Sequence, residues 1–247
     1  MTSAGGQLPG RVVIVTGAAG GLGRAIAQRF ADEGSTVAVL DIKKPESALG
    51  EGEHFFPCDV TVKPEVDRAV QEIAARFGGV DVVVNNAGLL SGRGSFQDVT
   101  PDEMHRYFAV NAVAPLIVTQ AVHPHLLDSA FRGRVINVAS RTFFTGNAGQ
   151  AAYIASKGAL LGLTRVLANE LGEDRITVNA IVPAQVATPG TTAHSGRDVF
   201  SSTMSRQAIR EFVTPEAFAG LAVFLASADA ALITGQTMIC DGGGLMR

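Results

Sequence analysis

The sequence predicts an α/β protein built on a doubly wound parallel sheet, and two observations carry this prediction. Short runs rich in β-branched residues alternate with longer segments of helical periodicity along the 247 residues. The strand runs are apolar throughout, which is typical of parallel strands that helices cover on both faces. Because no linker rich in Pro, Gly or Ser divides the chain, we expect a single domain over residues 1–247.

The predicted strands and helices follow one another in a regular order. The strand runs are "RVVIVTG", "STVAVLD", "VDVVVNNAG", "GRVINVAS", "RITVNAIVP" and "QTMICDGG". Helices are predicted between them over residues 22–33, 64–77, 101–127, 150–171 and 215–226, and right-handed crossovers place these on both faces of the sheet. Residues 190–214 are more polar and irregular, and a connection of this length is typical of a lid, so we assign them to a substrate loop.

Composition and charge argue against several classes of function. The chain has 20 Lys and Arg against 23 Asp and Glu, without a basic cluster, so neither nucleic acid nor an anionic membrane is expected as a partner. No secretory signal and no apolar run of bilayer length is visible, which favours a cytoplasmic location. The 2 Cys and 5 His have no metal-ligand spacing, so we expect no metal site.

The first strand leads into a glycine-rich turn, "TGAAGGLGRAIAQRF", that carries Gly17, Gly21 and Gly23. Glycine lets the backbone approach a ligand closely, and the amino terminus of the following helix attracts an anion. The spacing is a relative of the dinucleotide fingerprint and predicts a pyrophosphate site, although a tight turn from strand to helix would also use these glycines.

The second strand ends in an acidic residue, Asp41, which can bond the adenosine ribose hydroxyls of a dinucleotide. A carboxylate there would repel a 2′-phosphate, so NAD is favoured over NADP. Lys43 and Lys44 lie close by and weaken this argument, although charges in a solvated loop explain them as well.

A tyrosine and a lysine stand four positions apart in the stretch "AAYIASKGALLGLTR". The chain has 2 Tyr in all, and chance would give a Tyr-x-x-x-Lys match only about 3 times in 100. On a helix, Tyr153 and Lys157 lie on the same face and can reach one site. Because a nearby cation stabilises phenolate, we expect the pKa of Tyr153 to fall below its ordinary value of about 10, which makes a usable acid or base.

With these motifs in order, the chain resembles a short-chain dehydrogenase/reductase of the type with a single Rossmann domain. The resemblance runs from Arg11 to the carboxyl terminus. Its motifs are residues 16–23, Asp59-Val60, "NNAG" at residues 85–88, Asn111, Ser140, Tyr153 with Lys157, and "P-A-x-x-x-T" from Pro183 to Thr188.

The resemblance implies a role for each matching residue. Tyr153 exchanges a proton with the substrate hydroxyl or carbonyl, and Ser140 holds that oxygen. Lys157 lowers the pKa of Tyr153 and binds the nicotinamide ribose, while Asn111 anchors a water that passes the proton to solvent. The residues expected to bind the cofactor are Gly17, Gly21, Leu22, Gly23, Asp41, Ile42, Asp59, Val60, Asn86, Ala87, Gly88, Tyr153, Lys157, Pro183, Val186 and Thr188.

Some of these residues also have plainer interpretations. Asn85 and Asn86 are typical caps of a turn, and the alternative interpretation of Asn111 is a buried amide with backbone partners. Two positions depart from the family pattern: Ala184 replaces a usual glycine, which puts nicotinamide contacts there in doubt, and Gly20 stands where NADP-dependent relatives carry a basic residue.

The expected reaction is the NAD-dependent interconversion of a secondary alcohol and its ketone. An aromatic or cyclic substrate is suggested by residues 199–204 and by Phe143 and Phe144. The two phenylalanines fit either the pocket or the core, and their position beside Ser140 favours the pocket. The segments "SRTFFTG" and "ITGQT" are also similar to dehydrogenases of aryl alcohols and of pyridoxal. The alternatives are an NADPH-dependent 3-oxoacyl thioester reductase and a Rossmann regulator that senses NAD without turnover.

The predicted helix over residues 150–171 is apolar around most of its circumference and carries small residues such as Gly158 and Gly162. A helix that is apolar on two sides must be covered on both. Together with the family resemblance, this predicts a homo-oligomer, either a dimer or a tetramer.

Overall fold

A computed structural model describes residues 6–90, 94–186, 191 and 198–246, and it contains one seven-stranded parallel sheet of order β3-β2-β1-β4-β5-β6-β7. The strands are β1 (Val12–Thr16), β2 (Thr36–Asp41), β3 (Glu53–Pro57), β4 (Val82–Asn85), β5 (Arg134–Val138), β6 (Thr177–Pro183) and β7 (Thr237–Cys240). Every neighbouring pair is parallel, so the predicted doubly wound fold is confirmed.

The helices connect these strands and cover both faces of the sheet. They are α1 (Gly21–Asp32), α2 (Lys63–Phe77), α3 (Pro101–Phe108), α4 (Ala114–Asp128), α5 (Thr142–Thr145), α6 (Ala151–Glu170), α7 (Asp198–Met204) and α8 (Pro215–Ala226). Within the described part of the chain, no helix has the length and apolarity that crossing a bilayer requires.

Strand β1 illustrates why its residues are apolar without alternation. Val12 and Ile14 pack into a core under α2, α4 and α6, whereas Val13 and Val15 pack into a second core under α1 and α8. Successive side chains of a strand point to opposite faces, so a strand covered on both faces buries all of them.

The strand order places the functional edge of the sheet. β1 lies between β2 and β4, and the chain leaves β1 toward β2 first and toward β4 later, so the direction of winding reverses there. The carboxyl ends of parallel strands share one edge, and an open α/β sheet binds its ligands at the reversal point of that edge.

Three elements differ from the sequence prediction. Strand β3 was not predicted, because its sequence "EHFFP" contains Glu53, His54 and Pro57 and is not an apolar run; it lies at the sheet edge. The predicted helix over 101–127 is divided by a π-helical turn at Ala109–Val113. The predicted irregular segment 190–214 contains α7, while residues 187–190 and 192–197 lie outside the described residues.

Candidate active site

A cavity of about 1270 Å³ runs along the carboxyl edge of the sheet. Its wall contains most of the residues that the sequence nominated: Gly17, Gly21, Leu22, Gly23, Asp41, Ile42, Asp59, Val60, Asn86, Ala87, Gly88, Ser140, Tyr153, Lys157, Pro183 and Val186. Asn111 lies behind the wall, where it bonds Leu89. Thr188 lies outside the described residues, so the structure gives it no place.

The glycines of the first turn allow two turns of backbone to pack together. Gly17 has a φ of +62°, and a Cβ there would lie 2.6 Å from the Cα of Ala87. A Cβ on Gly23 would lie 2.4 Å from Asn86 Nδ2 and from the Gly17 oxygen. Larger residues at either position would push the β1 and β4 turns apart, so these glycines are needed for the shape of the turn.

Asn86 fastens the same two turns. Its Nδ2 donates to the backbone oxygens of Thr16 and Gly17, at 2.9 and 3.0 Å, and the Thr16 hydroxyl accepts from the Asn86 and Ala87 N–H groups. Its neighbour Asn85 is buried and donates to Asn137 Oδ1 at 2.9 Å. The Asn86 side chain therefore holds the wall of the cavity, and Asn85 belongs to the core.

The amino terminus of α1 faces the cavity without a side-chain cap, since its N-cap residue is Gly20. Free backbone N–H groups at a helix start fit a pyrophosphate. Farther along the wall, Asp41 accepts hydrogen bonds from the Ala19 and Lys43 N–H groups, each at 3.0 Å, which fixes its carboxylate at the end of β2. This set of donors and acceptors fits a dinucleotide.

The next strand end carries Asp59, whose Oδ1 accepts from the Thr61 N–H and hydroxyl at 2.9 and 2.6 Å. Val60 is buried beside it, and Ile42 is 68% exposed on the cavity wall. An apolar surface between two fixed carboxylates suits the flat face of a nucleobase.

At the other end of the cavity, Ser140 and Tyr153 form a hydrogen-bonded pair. Ser140 follows β5, and its hydroxyl also lies 2.9 Å from that of Thr142. Burial raises the pKa of Tyr153, the bond with Ser140 lowers it, and the nearby Tyr107 raises it again. The ring of Tyr107 packs edge to face on that of Tyr153, with centroids 6.2 Å apart.

Lys157 lies one helical turn after Tyr153, as the spacing predicts, and its Nζ donates to the Val138 oxygen at 2.8 Å. Burial lowers the pKa of Lys157 to about 8. The sequence-based expectation that the pKa of Tyr153 is lowered does not hold in this structure, because burial of the phenol dominates and Lys157 is committed to Val138.

Asn111 lies on the π-helical turn and is fully buried. Its Oδ1 accepts from the Leu89 N–H at 3.0 Å, and its Nδ2 donates to the Ser156 hydroxyl at 2.9 Å. That hydroxyl in turn donates to the backbone carbonyl oxygen of Tyr153 at 2.7 Å. The side chain therefore ties the β4 loop to the helical turn that carries Tyr153.

Ala184 fits its position without strain. Its N–H donates to the Cys240 oxygen at 3.0 Å. In the part of the chain that the structure describes, only Arg132 and Arg175 are non-glycine residues with a positive φ. The backbone at Ala184 therefore does not require glycine.

The two phenylalanines after Ser140 are not in the cavity wall. Phe144 packs against a small core of Ala139, Leu161, Ala180 and Val182, and Phe143 is 43% exposed and packs against Gly158 of α6. The preference for placing them in the pocket was wrong, because the turn of α5 directs both toward α6 and away from the cavity.

The substrate end also contains Thr191, Ser202, Thr203 and Arg206 of the segment that the sequence assigned to a substrate loop. The residues there that the sequence did not predict are Arg141, Thr142, Thr145, Asn147, Gln150 and Gln185. Most are polar and belong to short or irregular segments, which no periodic pattern could have identified.

A family model described as enoyl-(acyl carrier protein) reductase matches residues 17–244. The chain is 34% identical over 241 residues to the (2S)-[(R)-hydroxy(phenyl)methyl]succinyl-CoA dehydrogenase subunit BbsD of Thauera aromatica, covering 94% of this chain and 96% of that protein. It is 33% identical over 245 residues to the 3-oxoacyl-[acyl-carrier-protein] reductase of Thermotoga maritima, covering 96% and 98%.

Among solved structures, the ligand-free aldohexose dehydrogenase of Thermoplasma acidophilum matches with a TM-score of 0.89 at 31% identity, over 97% of this chain and 96% of that one. The chain belongs to the short-chain dehydrogenase/reductase family, and the resemblance drawn from its motifs is confirmed. It is therefore an oxidoreductase of a family that uses a nicotinamide dinucleotide.

Proposed function

We propose that the protein is an NAD(H)-dependent oxidoreductase that interconverts a secondary alcohol and its ketone, with Tyr153 as acid and base. The observation that carries this proposal is the hydrogen-bonded pair of Tyr153 and Ser140, with Lys157 one helical turn away on the wall of the same cavity. Asn111, behind the wall, belongs to the same catalytic group.

The nicotinamide ring supplies hydride transfer when the cofactor is bound. In reduction, the Tyr153 phenol gives its proton to the carbonyl oxygen as that oxygen becomes the alcohol. In oxidation, the Tyr153 phenolate takes the proton from the substrate hydroxyl. Ser140 donates a hydrogen bond to the same oxygen and stabilises the negative charge that develops on it.

The position of Lys157 explains how it would stabilise the Tyr153 phenolate. Burial disfavours the charged Tyr153 phenolate and therefore raises the pKa of the phenol. A cation on the same helix face offsets this cost, and the Lys157 ammonium needs only to turn from the Val138 oxygen toward the ligand side. The glycine turn, Asp59, Val60, Ala87, Gly88, Pro183 and Val186 would hold the cofactor, and Thr188 remains part of that proposed set.

Three features of the adenosine end support NAD over NADP. The Asp41 carboxylate is fixed at the end of β2, where it would repel a 2′-phosphate. Gly20 offers no cation. Arg24 is the first basic residue of α1. It forms an ion pair with Glu53 and donates to Gln28 Oε1 at 3.1 Å, so it is not available to bind a phosphate.

An NADPH-dependent 3-oxoacyl thioester reductase is the second candidate. It is favoured by the matching family model and by the similarity to the Thermotoga maritima reductase, both of which name acyl carrier protein substrates. Asp41 opposes it on the cofactor side. An aromatic substrate has support from the name of the Thauera aromatica relative, but no longer from Phe143 and Phe144.

We also propose that the chain is one domain over residues 1–247, with a substrate loop at about 190–214, and that it works in the cytoplasm as a homodimer or homotetramer. The oligomer is supported by apolar side chains on the outer surfaces of α4 and α6: Leu127 is 47% and Val166 is 51% exposed. A single-chain mass by light scattering at micromolar concentration would contradict this.

The test is absorbance at the reduced-nicotinamide band with NAD or NADP over secondary alcohols, aryl carbinols, pyridoxal and 3-oxoacyl thioesters. Turnover with NAD on one alcohol class supports the proposal. Activity confined to NADPH and an oxoacyl thioester would favour the second candidate instead. Binding of NAD without any turnover would indicate a non-catalytic NAD sensor.

A further inference from the structure

The charged residues of the cavity wall are separated by sign. In the described wall, the carboxylates are Asp41, at the end of β2, and Asp59, which follows β3. Arg141 follows Ser140 after β5, three strands away from β2. With neighbouring strands about 4.8 Å apart, this separation is about 14 Å. The substrate end of the described wall is therefore cationic, although the whole chain has a net charge of −3.

Two arginines at this end have no partner of their own. Arg141 is half-buried and Arg206 is exposed, and neither guanidinium makes a hydrogen bond or an ion pair with any residue that the structure describes. By contrast, Arg24, on helix α1 after the glycine turn, is paired with Glu53. Two unpaired guanidinium groups that flank a reaction centre repel each other and attract an anion.

The segment that carries Arg206 presents one face to the cavity. Ser202, Thr203 and Arg206 are spaced as one side of a helical turn, and all three line the wall. The backbone N–H of Arg206 donates to the backbone oxygen of Thr203 at 3.1 Å, which continues the turn of α7 to this arginine. Two hydroxyls and one guanidinium of this segment therefore line the same cavity as Ser140 and Arg141.

We infer that the substrate carries an oxyanion, a carboxylate or a phosphate, close to its secondary alcohol, and that Arg141 and Arg206 bind this group. This inference rests on the proposed function, since it names the substrate class of the same site. A guanidinium presents a planar fork of N–H donors that matches both oxyanions. Holding the anion between Arg141 and α7 positions the carbinol carbon beside Tyr153 and Ser140, which increases the rate by orientation.

The experiment compares charged ligands with neutral partners that carry the same secondary alcohol. The pairs are 3-hydroxybutyrate with its methyl ester, mandelate with its methyl ester, and glycerol 3-phosphate with glycerol. The change in Tm is measured at neutral pH in the presence of NADH or NADPH, whichever raises Tm. The reduced cofactor fills the glycine turn and prevents oxidation of the alcohol, so ligand binding is read without turnover.

The variants are Arg141→Gln and Arg206→Gln, with Arg210→Gln as the matched control. Arg210 is an exposed arginine in the same stretch of chain and does not line the cavity. We expect the charged member of at least one pair to raise Tm more than its neutral partner. This excess should be lost in Arg141→Gln and Arg206→Gln and kept in Arg210→Gln. If only the carboxylate ligands or only the phosphate ligand gives this larger rise in Tm, the result shows which of the two groups the arginines bind.

Kinetics give a second measurement. For a substrate of the preferred charge, each of the two variants should raise KM about tenfold or more, because a hydrogen bond to a charged group is lost. Neutral substrates should be affected little. Equal Tm shifts for charged and neutral ligands, or an excess that survives in both arginine variants, would overturn the inference. Turnover of neutral alcohols in that case would leave the proposed function intact, whereas absence of all turnover would count against the proposed function itself.

Discussion

The Lys157 ammonium donates a 2.8 Å hydrogen bond to the backbone oxygen of Val138, at the carboxyl end of β5 and two residues before Ser140. This bond holds a cation in the wall of the cavity, in a place where burial lowers its pKa to about 8. The protein therefore stores an unfavourable buried charge beside the pair of Tyr153 and Ser140. Several consequences of this site can be measured.

The buried lysine predicts a pH dependence of stability. Its pKa is about 8 when folded and 10.5 ordinarily, so between these values the unfolded chain holds a proton that the folded protein has released. Raising the pH through this window therefore favours the folded state. We expect the Tm difference between the wild type and Lys157→Met, without cofactor, to increase in favour of the wild type from pH 8 to pH 10.

Lys157→Met serves as the reference because the titration of other groups changes the stability in the opposite direction as the pH rises. Burial raises the pKa of the Cys58 thiol to about 11, so Cys58 lowers stability as the pH rises above its ordinary pKa of 9.0. This contribution is common to both proteins and cancels in the difference. If the Tm difference stays flat or decreases over the same pH range, the pKa of Lys157 is not lowered in the folded protein.

The glycine turn predicts a contrast between two neighbouring substitutions. A Cβ on Gly23 would lie 2.4 Å from Asn86 Nδ2, whereas a Cβ on Gly20 meets nothing within 4 Å. Gly23→Ala should destabilise the protein by about 1–3 kcal/mol and weaken cofactor binding, since it separates the two turns. Gly20→Ala, with its extended backbone, should leave both nearly unchanged. Denaturant unfolding and a cofactor titration compare the two, and equal effects would contradict this account of the turn.

Asp41 predicts the choice of cofactor. In Asp41→Asn the side chain keeps an acceptor for the Ala19 or Lys43 N–H but loses the charge that repels a 2′-phosphate. We expect kcat/KM with NAD to fall and the ratio of NADP to NAD activity to rise about tenfold or more, as loss of about 1.4 kcal/mol of repulsion requires. Asp59→Asn, in the turn after β3, should not change this ratio. A wild type that already prefers NADP would contradict the role of Asp41.

The hydrogen bonds of Asn111 predict that replacing this residue lowers both the stability and the kcat of the protein. In Asn111→Ala the Leu89 N–H is left without its 3.0 Å acceptor, and such a loss costs about 1–3 kcal/mol. The link to Ser156 and to the helical turn of Tyr153 is lost as well. We expect lower stability by denaturant unfolding and a lower kcat. Ser156→Ala removes only the second link, so it should be milder in both measurements; a harsher effect would contradict the role given to Asn111.

Much of the fold was predictable because its signals are local. Parallel strands buried on both faces are apolar runs, and α8 begins and ends where the sequence places that helix, at Pro215 and Ala226. Strand β3 gave no such signal, since an edge strand needs burial on fewer sides and therefore tolerates Glu53 and His54. Its pairing with β2 depends on tertiary contacts that no short window of sequence contains.

The site was predictable where one turn or one helix brings its members together. Gly17 to Gly23 and Tyr153 with Lys157 are of this kind. The partners of those residues were not predictable: Lys157 bonds Val138 of β5, and Tyr107 packs on Tyr153 from another helix. The same limit explains the wrong preference for Phe143 and Phe144, because the direction of α5 relative to α6 is set by packing and not by nearness to Ser140.

The central claim is that the Tyr153 phenol transfers the proton while other residues position the reactants. The most direct measurement is kcat/KM of Tyr153→Phe, together with the dissociation constant of NAD, against Tyr107→Phe as a control that removes the other tyrosine hydroxyl. We expect Tyr153→Phe to lose about 10²-fold or more of the activity at unchanged NAD affinity, and Tyr107→Phe to keep most of it. A Tyr153→Phe protein that binds NAD and turns over near the wild-type rate would contradict the account.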